Sequence, residues 1–109
     1  MNGYQLTFFT QQDRRHGHQP LAEWLMALVQ SMQISGATLR TAQEGLGHHH
    51  KLHSAHFFEL ADQPVEVTMV VTEEESARLF ERLHAEPGLH LFFAKTAVEF
   101  GVIGEVGQP

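Results

Sequence analysis

The sequence predicts a two-layer α+β fold in the order β-α-β-β-α-β, and three observations carry that prediction. Two segments repeat apolar residues at helical spacing, around Leu25 and around Phe80. Three segments alternate apolar and polar residues with the period of a strand, around Leu6, Val67 and Val98. Turn residues fall between the segments, so each element has a visible stop.

Tyr4, Leu6 and Phe8 alternate with Gln5 and Thr7 as a first strand, which gives way to a polar loop from Thr10 to Gln19. Pro20 suits the first turn of a helix. Leu21, Leu25, Leu28, Val29 and Met32 form its buried stripe with Trp24 beside it, and Gly36 is placed to end it in a left-handed conformation. Residues Ala37 to Glu44 read as a short second strand that stops at the turn Gly45-Leu46-Gly47. Beyond the next loop, Phe57 to Leu60 is apolar and extended, Asp62-Gln63-Pro64 is a turn, and Val65, Val67, Met69 and Val71 alternate as the third strand.

Thr72 with Glu75 three residues later forms a capping box, and Glu73 and Glu74 set negative charge against the positive end of a helix dipole. Ala77, Phe80 and Leu83, supported by Leu79, supply the apolar face of this second helix, and Pro87-Gly88 ends it. An apolar segment from Leu89 to Ala94 follows, and then Val98, Phe100 and Val102 alternate, which allows one or two terminal strands. Right-handed crossovers place both helices on one face of an antiparallel sheet, so the expected architecture is a ferredoxin-like sandwich with room for an extra C-terminal strand. Both parities of the strands carry apolar residues, Phe8 with Phe9 and Phe92 with Phe93, so the open sheet face calls for an oligomer.

Composition sets the class. The 109 residues, 42% hydrophobic and 18% charged, suit a single domain spanning residues 1–109, with no internal repeat. Seven Lys+Arg against 13 Asp+Glu give a formal charge of -6, which argues against nucleic acid as a partner because binding there depends on clustered cations. Nine histidines make that charge strongly pH-dependent below about pH 6. The absence of cysteine removes disulfides, thiolate metal sites and thiol nucleophiles. No apolar run approaches the ~20 residues that cross a bilayer, and Met1 to Gln5 lacks a basic leader, so a soluble cytoplasmic protein is expected.

The densest chemistry is a loop with five histidines, His48, His49, His50, His53 and His56, within nine residues. Imidazole binds transition metals and changes charge near neutral pH, so these five are candidate ligands for a divalent transition metal. In an extended segment His48 and His50 point the same way; in a helical turn His49 or His50 shares a face with His53. The spacing matches no named zinc signature, and the competing reading is a solvated polar loop. In the first loop, His16 and His18 flank Gly17 beside Asp13, Arg14 and Arg15, which reads either as a ligand-contacting loop or as a helix-entry turn. His84 and His90 flank the end of the second helix, where a cation suits the dipole. Glu73 to Glu75 read as a helix start, and Met26, Met32 and Met69 as core. No nucleophile sits in a glycine elbow, so an enzyme is not expected.

The words His16-Gly17, Pro20-Leu21, Gly36-Ala37-Thr38, Glu44-Gly45-Leu46-Gly47, His53 and Phe57-Phe58, taken in this order, resemble the PII-like proteins of domain-of-unknown-function family 190. The likeness runs from about Phe8 to Val102. It implies a ferredoxin-like homotrimer related to the PII signalling proteins, with a small effector such as an adenine nucleotide in clefts between subunits. It also implies a loop, here Gly45 to Ala55, that reaches toward a protein or membrane-transporter partner. On that resemblance the ligand-binding candidates are Arg14, Arg15, His16, Gly17, Gly45, Gly47, Lys51 and His53. Two departures bear on the ligand: Gln19 stands before Pro20 where many members carry a basic residue, and Thr41-Ala42 stands where an Arg-Gly pair is common. Gly45-Leu46-Gly47 also lacks the Gly-Lys-Ser/Thr ending that cradles phosphates.

Overall fold

The computed structural model describes residues 1–34, 36–41 and 63–104. Strand β1 (Asn2–Gln11) is the longest, and it is followed by two two-residue strands, β2 (Arg15–His16) and β3 (Gln19–Pro20). Helix α1 (Leu21–Ser31) leads to β4 (Thr38–Thr41). Strand β5 (Pro64–Thr72), helix α2 (Glu73–His84) and strand β6 (Phe92–Glu99) are the remaining elements among the described residues.

The main sheet has the order β4-β5-β1-β6 and every neighbouring pair is antiparallel. This is the ferredoxin-like arrangement, because each crossover through a helix skips one strand position. In register, Leu6 faces Met69 and Phe8 faces Val67, so the even residues of β1 and the odd residues of β5 share one face. Leu6, Phe8, Val65, Val67, Met69 and Val71 are all buried there. The helices cover that face with Leu21, Ala22, Leu25 and Val29 from α1 and with Leu79 and Leu83 from α2. Each such leucine contributes roughly 1.5–3 kcal/mol by leaving water.

Four expectations change in detail. The segment from Thr10 to Gln19 is not wholly loop, because β1 continues to Gln11 and residues 15–20 fold into the β2–β3 hairpin. The left-handed position after α1 is taken first by Gln33, at φ 63, with Gly36 at φ 84 further on; the helix stops about a turn earlier than the glycine suggested. Helix α2 keeps the predicted capping box, with Thr72 Oγ1 accepting from Glu75 N at 3.0 Å and Glu75 Oε1 accepting from Thr72 N at 2.9 Å. Its buried face, however, runs through Ser76, Leu79 and Leu83, and Ala77 is exposed. Among the described residues no strand follows Glu99; instead Phe100 N–H donates to the Met1 carbonyl at 2.8 Å.

Residues 42–62, which include the Gly45 to Ala55 loop, all five candidate metal histidines, Lys51 and the Phe57 to Leu60 segment, lie outside the described residues. Among the described residues no helix is long and apolar enough to cross a membrane.

Candidate functional site

Arg14, Arg15, His16 and Gly17 are brought together at one end of the sheet. Gln12 N–H donates to Gln63 O at 2.9 Å, which ties the end of β1 to the residue entering β5. On the same end, Thr41 pairs with Val65 and Gln11 with Pro64. Thr41 and Gln63, the described residues that flank 42–62, therefore lie at the end of the sheet where β1 finishes.

The hairpin turns at Gly17-His18, where Gly17 has φ 67, a conformation glycine adopts without strain. Its arms pair Arg15 with Pro20 and His16 with Gln19. Pro20 supplies no side-chain cap to α1, yet the Leu21 N–H is satisfied by Arg14 O at 2.9 Å. One backbone bond thus fixes both the start of the helix and the base of the hairpin.

The side chains divide their work. Arg15 Nη2 donates to His18 O at 2.7 Å and stiffens the turn from within. Arg14 Nη2 donates to His90 O at 3.3 Å, across to the segment between α2 and β6. His16 turns inward: its ring packs against Trp24 with centroids 4.6 Å apart, and its Nε2 lies 2.6 Å from Glu86 Oε2. Glu86 also pairs with Arg82, Oε1 to Nη1 at 2.7 Å, and the Arg82 guanidinium stands 5.9 Å from the centre of the Trp24 ring. The His16 hydrogen bond, then that of Arg82, holds the Glu86 carboxyl below its ordinary value.

In the structure His16 is engaged with Glu86 and Trp24 and so anchors the hairpin. Its partners Trp24, Arg82 and Glu86 were not predicted as site residues. Only the i,i+4 spacing of Arg82 and Glu86 hinted at a pair, and nothing in the sequence joined that pair to His16. Arg14 and Arg15 remain as exposed cations at the root of the 42–62 segment. Gly45, Gly47, Lys51 and His53 cannot be placed beside them, since they fall outside the described residues. Among the described residues no group of three His, Asp or Glu side chains is placed to hold a metal ion.

A model of the family DUF190, whose description is uncharacterised ACR, matches residues 3–93. Among solved structures, the chain is similar to a protein from Thermus thermophilus described as a PII-like signalling protein. The match has a TM-score of 0.58 at 18% identity and covers 89% of this chain and 86% of that one. No curated protein matches the sequence. At such identity the structural likeness speaks for the fold, and the family model, which spans most of the chain, speaks for descent: the chain belongs to the DUF190 family and has a PII-like fold.

Proposed function

We propose that this chain is a non-enzymatic, PII-like regulator. In this reading it forms a homotrimer, binds a small effector, with an adenine nucleotide as one candidate, at clefts between subunits, and contacts a protein partner through residues 45–55. The observation that carries the reading is the shared location of the cationic hairpin and both roots of the 42–62 segment. An anion held by Arg14 and Arg15 at that place would bias the order of the adjoining segment, which is how a binding event becomes a change of surface. The PII-like fold and the relative described as a signalling protein support the same reading.

The test is a calorimetric titration with ATP, ADP and AMP, beside light scattering of the purified protein. Saturable binding that falls at least about tenfold in Arg14→Ala/Arg15→Ala, in a particle three times the chain mass, is expected; tenfold corresponds to ~1.4 kcal/mol. A monomer at micromolar concentration, or binding indifferent to both arginines, sinks the reading.

A second reading rests on the five histidines within nine residues: a loop that binds or buffers a divalent transition metal without nucleotide. Titration with zinc, copper and nickel distinguishes it. Metal binding that survives alanine at His48, His50 and His53 rules out that site.

A further inference from the structure

Among the described residues, the outer edge of β6 has no neighbouring strand. Its side chains alternate between the two faces of the sheet, and all of them but Val98 are exposed. An open edge of eight residues that carries Phe92, Phe93, Ala94 and Ala97 is a template for pairing with another chain.

Which backbone groups the edge offers follows from its inner ladder. Met1 and Phe100 exchange two bonds, each at 2.8 Å, one from the terminal ammonium and one from the Phe100 N–H, so they form a hydrogen-bonded pair. In that register the bonded pairs recur at every second residue, Gly3 with Val98, Gln5 with Thr96 and Thr7 with Ala94. The intervening residues of β6, Phe93, Lys95, Ala97 and Glu99, therefore turn their N–H and C=O groups outward. A lysine often guards such an edge, and Lys95 is placed to do so. Its Nζ instead lies back over the sheet, 4.1 Å from the centre of the Tyr4 ring and 5.3 Å from that of Phe80, and leaves the outward groups open.

We propose that β6 pairs with β6 of a second copy, antiparallel about a two-fold axis through Ala97. Charge selects both the occupant and the register. Lys95 and Glu99 make no ion pair among the described residues, and they lie four positions apart on the same face of the strand. With Ala97 opposite itself, each Lys95 faces Glu99 of the second copy. Sliding one strand by two residues in either direction leaves both charges unpaired, and sliding it by four sets like charges opposite each other. In the chosen register the facing residues are those whose backbone groups point outward, so each pair exchanges two further bonds. The exposed Val102 comes opposite the exposed Phe92 just beyond the strand end. A single strand edge buries less than a stable interface needs, so the contact is weak and fills at high concentration. It does not depend on the effector-binding reading, because it doubles whatever particle exists at micromolar concentration.

The test is sedimentation velocity of the full chain from about 10 μM to about 1 mM, the range over which a weak contact fills, with amide exchange by NMR at both ends of the series. Expected is a doubling of mass, from one chain to two or from three to six. The amides of Lys95, Ala97 and Glu99 should exchange freely at the low end and gain protection at the high end, while those of Ala94, Thr96 and Val98 stay protected throughout. Ala97→Pro removes an outward N–H and spares the inner ladder, so it should abolish the doubling with the circular dichroism spectrum unchanged. Lys95→Glu and Glu99→Lys should each weaken association about fivefold, as exposed charge pairs do, and the two together should restore it. A mass that stays constant across the series overturns the proposal and leaves the edge to a foreign strand. Protection of the outward amides already at the low end overturns it too, because the edge is then covered within the smaller particle. Doubling that survives Ala97→Pro, or charge reversals that do not restore one another, has the same consequence.

Discussion

His16 and Glu86, 70 positions apart in the chain, meet Nε2 to Oε2 at 2.6 Å and clasp the β2–β3 hairpin to the end of α2. Both side chains are only 17% exposed, so the contact is sheltered by Trp24 on one side and by Arg82 on the other. This clasp and the Arg14 contact with the His90 carbonyl tie residues 14–17 to the segment that follows α2.

Removing the clasp should loosen the hairpin without unfolding the domain. In Glu86→Ala, amide hydrogen exchange at residues 15–20 is expected to accelerate by an order of magnitude or more, while β1 and β5 keep their protection. Any nucleotide affinity of the hairpin should fall with it. Unchanged exchange at residues 15–20 would show that the backbone bonds alone hold the hairpin.

The same clasp has a pH dependence whose sign follows from Glu86. Its carboxyl is held below the ordinary value of 4.5 by the His16 hydrogen bond first and by Arg82 second. A lowered folded value means that the contribution to stability is fully present above 4.5 and is lost as pH falls through the lower folded value. The hairpin should therefore stay ordered through the range near pH 6.5 where free histidines titrate, and loosen only in stronger acid. A carbon-detected carboxyl titration of Glu86, followed beside the amides of residues 15–20, measures both events. Release of the hairpin above pH 5 would refute this ordering.

Among the described glycines, Gly3 leaves no room for a side chain. It is buried in β1, and a Cβ there would run into the Val71 carbonyl and lie 2.8 Å from the Phe100 ring. Gly3→Ala must push apart the central strand pair or displace Phe100, and is expected to destabilise by about 1–3 kcal/mol in urea. A loss below 0.5 kcal/mol, about the level of an ordinary surface substitution, would place this end of β1 elsewhere.

In the first turn of α2 the side chains of two neighbouring hydroxyl residues have opposite fates. Thr72 Oγ1 caps the helix, whereas Ser76 Oγ is buried with no hydrogen-bond partner among the described residues. Thr72→Ala should destabilise by about 1 kcal/mol. Ser76→Ala should stabilise by about 1 kcal/mol, because it removes an unpaired buried hydroxyl and places a better helix former. Equal signs in urea denaturation would contradict the geometry.

The open sheet face gives the assembly test. Phe9 and Phe92 pair across β1 and β6 with centroids 5.5 Å apart, and Phe92 is 70% exposed. If the homotrimer packs on this face, Phe92→Asp should reduce the scattering mass to that of one chain, with little change in the circular dichroism spectrum. A trimer that tolerates aspartate there packs through another surface.

Much of this was legible in the residues. Period-two alternation at Leu6–Phe8 and Val65–Val71 located the two central strands, because one face of each is buried and the other is not. The Thr72–Glu75 box located the start of α2 to the residue, since a capping pattern is local chemistry. The face of α2 was harder: Ala77 and Leu79 are both apolar enough for the core, and only the packing against β1 chooses between them. The stop of α1 went to Gln33 instead of the glycine, which no propensity favours. The β2–β3 hairpin was missed because two-residue strands carry no periodicity. The clasp was missed because its partners are joined through space, across the whole of the domain.

The position of β1 has a bearing on how the chain acquires its shape during synthesis. Strand β1 is bonded along nearly its whole length to β5 on one side and to β6 on the other, and β6 begins only at Phe92. Until β6 has left the ribosome, β1 has an open edge of unpaired N–H and C=O groups next to Phe8 and Phe9. A chain that stalls before Phe92 thus carries an unpaired sheet edge, open to pairing with another copy.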